Sequence, residues 1–124
     1  MRKRVYIAGP ISDENCINVA ANLHRFAECE NALLQAGFAP FNPAADWDAV
    51  RLGGTTYEML MERDLSFIPV CDVLYFLRGW KHSAGANREY RAAQKIGIPC
   101  AFEPIEGFEF SEFAEIDAED WSHA

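Results

Sequence analysis

The chain has 124 residues, half of them hydrophobic and 24% charged, which suits one compact domain with a core of its own and excludes a disordered chain. Its net charge is −8, and residues 101–124 hold eight acids and no Lys or Arg, leaving eleven acids against eleven bases in residues 1–100. A neutral body with an acidic tail is a poor surface for a nucleic-acid polymer, and no apolar run is long enough to span a membrane. The expected partner is a small molecule.

Met1-Arg2-Lys3-Arg4 leads into a short strand-like run broken at Gly9-Pro10, not into a secretory leader, so a cytoplasmic location is expected. Cys16, Cys29, Cys71 and Cys100 are far apart, with no CxxC pair, and read as reduced and mostly buried thiols. With three scattered His residues they offer no zinc spacing, so no metal is expected.

In chain order, Arg4 to Ala8 reads as a strand ending at Gly9-Pro10. About Cys16 to Ala36 reads as an amphipathic helix, capped by Asn15 or Asn18 and stopped at Gly37. Its apolar set includes Val19, Leu23, Phe26, Ala27, Leu33 and Leu34. Phe38 to Phe41 is a second strand, ended by Asn42-Pro43, and residues 44–56 are a loop with Gly53-Gly54 at its tip. Thr55 or Thr56 caps a helix from Tyr57 to about Ile68. Asp72 to Leu77 is a third strand, apolar on both faces as a central parallel strand should be. After a loop over 78–84, Ala84 or Gly85 opens a third helix to about Ile96, stopped by Gly97, and Cys100 to Phe102 is a fourth strand. This βαβαβαβ order predicts an α/β, Rossmann/flavodoxin-like parallel sheet of four to five strands with helices on both faces, a single domain over residues 1–102. Residues 103–124 form an acidic aromatic tail whose phenylalanines and Trp121 are expected to dock on something, such as a neighbouring subunit.

Ligands of such sheets bind beyond the carboxyl ends of the strands. Gly9-Pro10-Ile11-Ser12, Asn42-Pro43 and Arg78 through Gly85 arrive there. One glycine followed by proline is no dinucleotide fingerprint, and there is no Walker lysine, so NAD and ATP are disfavoured and no cofactor is expected. Ser83 and Gly85 at a helix start, with Lys81 near, fit an anion site, though Ser83 alone is equally an ordinary N-cap. Glu89 lies one turn further on, either functional or a first-turn acid paired with the dipole or an arginine. Asp64 sits near the unfavourable end of its helix, which hints at function, with a salt bridge to Arg63 as the plain alternative. Tyr6 is either core or an entrant to the crevice. Asp72, at the wrong end of its strand, reads as structural.

Tyr6-Ile7-Ala8-Gly9-Pro10, Asp64-Leu65, Cys71-Asp72-Val73 and Ser83-x-Gly85-x-x-x-Glu89 together resemble the nucleoside 2-deoxyribosyltransferase superfamily. Gly79-Trp80-x-x-Ser83-x-Gly85-Ala86 is similar to its small, often phage- or prophage-borne branch known as DUF4406. The resemblance covers about residues 4–102. It implies cleavage or transfer at the N-glycosidic bond of a (deoxy)nucleoside or its 5′-monophosphate, without metal or organic cofactor. By position Glu89 would be the nucleophile, Asp64 would handle the proton on the base, and Tyr6 would orient Glu89. Ser83 and Gly85 would bind a 5′-phosphate. Gly9, Ser12, Asn42, Trp80 and Lys81 complete the expected binding set. The first loop departs from the monophosphate hydrolases, with Pro10 and Ile11 where those enzymes carry polar and basic residues. The alternative is therefore a non-catalytic nucleotide-binding or sensing module. A homodimer or higher homo-oligomer is expected.

Overall fold

Four short apolar runs pair into one parallel sheet in a computed structural model that describes residues 2–47, 49 and 52–103. The strands are β1 (Arg4–Ala8), β2 (Ala39–Phe41), β3 (Val73–Phe76) and β4 (Cys100–Phe102), in the order β2-β1-β3-β4. Three helices make the crossovers: α1 (Cys16–Gln35), α2 (Tyr57–Phe67) and α3 (Ala84–Ile96). The expected α/β parallel sheet is present with four strands. Among the described residues no helix is long and apolar enough to cross a membrane.

Local chemistry sets the ends of these elements. The side chains of Asn15, Thr56 and Ser83 accept backbone N–H bonds at the starts of α1, α2 and α3. Gly37 and Gly97 take positive φ at the ends of α1 and α3, where the next residues, Phe38 and Ile98, donate back to Leu33 and Ala93. β1 and β4 have the expected bounds, and β2 and β3 are shorter than the sequence pattern suggests. Phe38 precedes β2, and Asp72 and Leu77 flank β3. Asp72 accepts the Arg4 N–H through its side chain at 2.7 Å, a structural task at the end of the sheet away from the crevice.

Side chains alternate across the sheet. Val5, Ile7, Val73, Tyr75 and Leu77 face α1, whose Phe26, Cys29 and Leu33 are buried against them. Tyr6, Ala8, Leu74 and Phe76 face the other way, toward Ile68, Ala93 and the half-buried Leu65 and Tyr90. Ala27 and Leu34, expected in the apolar set of α1, point to solvent. Each follows directly on a buried residue, and neighbours about 100° apart on a helix cannot share one face. Cys29, Cys71 and Cys100 are buried thiols, whereas Cys16 is exposed.

The aromatic loop after β3 belongs to the second core. Trp80 packs with ring centroids 4.9 Å from Phe76, 5.0 Å from Tyr90 and 5.4 Å from Phe102. Glu103, the first of the tail acids, is tied to the domain. Its N–H bonds to Phe76, and its carboxylate accepts from Arg25 at 2.9 Å and from the Arg78 N–H at 2.8 Å. The rest of the tail, with Phe108, Phe110, Phe113 and Trp121, lies outside the described residues.

Gly9 is required where β1 runs into its loop. A Cβ there would lie 2.9 Å from Leu77 Cβ, an atom fixed to the backbone of the neighbouring strand end. Gly9→Ala is expected to destabilise the fold by about 1–3 kcal/mol. An unchanged denaturant midpoint would show that the two strand ends can separate freely.

Candidate active site

At the carboxyl ends of β1 and β3, loops and helix ends enclose a cavity of about 370 Å³. Glu89 reaches it from α3. The buried stripe of that helix is Gly85, Ala86, Glu89 and Ala93, three small residues and one acid. A carboxyl group only 5% exposed on such a stripe needs a polar partner. Tyr6, fully buried on β1, supplies it by donating its hydroxyl to Glu89 Oε2.

Burial pushes the Glu89 carboxyl from its ordinary 4.5 up to about 8; the Tyr6 hydrogen bond pulls it down and the nearby Asp64 charge adds to the rise. Burial, then the Glu89 charge, holds the Tyr6 phenol far above its usual value, so it remains a donor.

Asp64 enters from α2 on the same cavity. Burial raises its carboxyl, while Arg63 opposes the shift. Arg63 donates from Nε and Nη2 to Asp64 Oδ1, at 3.0 and 2.6 Å. The salt bridge and the cavity position thus hold together, since Asp64 remains 7% exposed and on the wall.

Gly9, Ser12, Ser83 and Gly85 also line the cavity, as does His82. Ser83 Oγ accepts the Ala86 N–H at 3.2 Å, so Ser83 is a helix cap on the cavity wall. Gly85 allows a close approach. A Cβ there would lie 2.7 Å from the Tyr57 hydroxyl and 2.8 Å from Met61 Cε.

Three of the expected binding residues do not line the cavity. Asn42 uses its side chain to accept the Ala44 N–H at 2.9 Å, capping the short 3-10 turn Pro43–Asp46. Trp80 is packed into the second core, because its large apolar ring finds Phe76, Tyr90 and Phe102 there. Lys81 Nζ lies 5.9 Å from the Trp80 ring centroid. Conversely Trp47, Tyr57, Leu60 and Met61 line the cavity without having been singled out. For α2 the signal existed: Tyr57, Leu60, Met61 and Asp64 follow the i, i+3, i+4, i+7 spacing of one helix face. Among the described residues no group of three or more His, Cys, Asp and Glu side chains converges as metal ligands do.

Four parallel strands in the order β2-β1-β3-β4, joined by crossover helices, form a 2-deoxyribosyltransferase-like fold. A 2-deoxyribosyltransferase from the psychrotolerant bacterium Bacillus psychrosaccharolyticus has a similar structure, with a TM-score of 0.65, 17% identity and 92% of each chain covered. Residues 3–102 match the family described as Domain of unknown function (DUF4406), and the chain belongs to that family. No curated protein matches the chain in sequence.

Proposed function

We propose that the protein acts on the N-glycosidic bond of a (deoxy)nucleoside or its 5′-monophosphate, with Glu89 as nucleophile. The observation that carries this is the buried Glu89, hydrogen-bonded by Tyr6 on the wall of a cavity shared with Asp64. The neighbour in fold is named for deoxyribosyl transfer, which agrees with the reading. The volume of about 370 Å³ suits a small molecule of nucleoside size.

Breaking the bond builds positive charge on the sugar, and the base leaves with a proton. Near neutral pH the acid pair holds one proton, on Glu89, since burial raises that carboxyl most and Arg63 opposes the rise at Asp64. Transfer of this proton to Asp64 creates the two forms the reaction uses. A Glu89 oxygen bonds to C1′ as the C1′–N bond breaks, and Asp64 gives the proton to the departing base. In hydrolysis, water then attacks C1′, its proton goes to Asp64, and the bond from Glu89 to C1′ breaks to restore the carboxylate. In transfer, a nitrogen of a second base takes the place of water. The N-terminal end of α3, whose residues Ser83 to Ala86 line the cavity with His82 beside them, suits a 5′-phosphate.

The test is incubation with each nucleoside, 2′-deoxynucleoside and 5′-monophosphate, with and without a second base, followed by chromatography for free or exchanged base. Base release by the native protein, absent in Glu89→Ala, is the expected result. Tight binding without turnover would establish the non-catalytic module instead. Release by Glu89→Ala at the native rate would remove Glu89 from the reaction.

A further inference from the structure

The cavity wall next to Asp64 is built by a device that the reaction scheme does not use. Asn42 caps the turn Pro43–Asp46, Pro43 stands at its start, and the Trp47 N–H closes it by bonding to Ala44. Pro43 and the half-buried Trp47 both line the cavity. Asp46, the residue before Trp47, accepts from Arg63 Nη1 at 2.8 Å through Oδ2. The same guanidinium donates to Asp64 from its other nitrogens. One arginine therefore fastens the turn that carries Trp47 to the Asp64 carboxylate on the cavity wall. His82 and Ser83 add polar side chains to the lining, next to the small Ala84, Gly85 and Ala86. An indole offers a flat π-face, and every nucleobase has one to match, with a polar edge left over for an acid.

We propose that Trp47 is the wall on which the nucleobase stacks, held beside Asp64 by the Asp46–Arg63–Asp64 bridge. The inference rests on the proposed function and adds the base-binding residue to it. Trp47 touches the base, and Asp46 and Arg63 are positioning residues. Stacking on an indole face is tolerant of base identity, so Trp47 itself does not choose among bases.

Binding is measured by calorimetry in the Glu89→Gln protein, which holds a nucleoside without consuming it. The probes are 2′-deoxyadenosine, 2′-deoxyguanosine, 2′-deoxycytidine and thymidine. Adding Trp47→Leu, which keeps apolar bulk but not the π-face, is expected to weaken binding about 10- to 100-fold, while Trp47→Phe stays within about threefold. Adding Asp46→Ala, which cuts the solvent-facing arm of the bridge, is expected to weaken binding about two- to fivefold. Equal affinities in the Leu and Phe proteins, whether both unchanged or both reduced, would overturn the stacking role. Failure of Glu89→Gln itself to bind any of the four, their ribonucleoside counterparts or the 5′-monophosphates of either would overturn the functional reading and this inference together. Binding to it that ignores position 47 overturns the inference alone.

Discussion

Glu89→Gln is expected to abolish base release and, in the same protein, to raise stability at alkaline pH. Glutamine keeps an oxygen to accept the Tyr6 hydroxyl and fills the same space, so the fold is retained. It cannot form the bond to C1′, and loss of a nucleophile costs about three orders of magnitude in rate or more. The stability change follows from the raised carboxyl. Between about 4.5 and 8 the folded protein holds a proton at Glu89 that the unfolded chain has released. Native stability therefore falls as pH rises through that window, and the loss is complete above it. With Glu89 only 5% exposed, the full effect by pH 9 is on the order of 4 kcal/mol. Melting temperatures of the two proteins should agree near pH 5 and separate steadily toward pH 9, with glutamine higher. Parallel curves across the range would mean that Glu89 ionises as an ordinary surface acid.

The fold was legible because its signals were redundant. The run from Val73 to Leu77 is buried throughout, as a strand covered on both faces requires. Asn15, Thr56 and Ser83 each cap a helix, and the apolar spacing of the first marks it a second time. The site was legible less evenly. Asp64 stood out as an acid at the unfavourable end of its helix and Glu89 by its place in Ser83-x-Gly85-x-x-x-Glu89, and both are on the cavity. Trp80 and Asn42 were read by their place in loops at the crevice end of the sheet. That edge also carries residues that build the loops, and only packing separates the two kinds. The indole of Trp80 is drawn to three other rings, and the Asn42 amide oxygen to a backbone N–H two residues on. Trp47 was hidden because residues 44–56 read as plain loop. The Asn42-Pro43 pair signals a capped turn as well as a strand end, and that turn aims the indole.

Tyr6→Phe is expected to change the pH dependence of the reaction as well as its rate. The ring remains packed, with its centroid 5.3 Å from that of Phe41, so the fold survives. Only the hydrogen bond to Glu89 is removed. If the active form is the acid pair with a single proton, activity is bell-shaped in pH. Its alkaline limb lies near 8, where that proton is lost. The Tyr6 bond stabilises the ionised carboxylate, so its removal raises the Glu89 carboxyl further. A hydrogen bond to a charged group contributes about 1.5–3 kcal/mol, so the alkaline limb should move up by about one to two pH units. The maximum should fall about tenfold or more over the same range, because moving the proton from Glu89 to Asp64 becomes harder by the same amount. These two effects share one cause and must appear together. A uniform fall at every pH, with the limb unmoved, would make Tyr6 a packing residue and leave Glu89 to be oriented by the walls of the cavity.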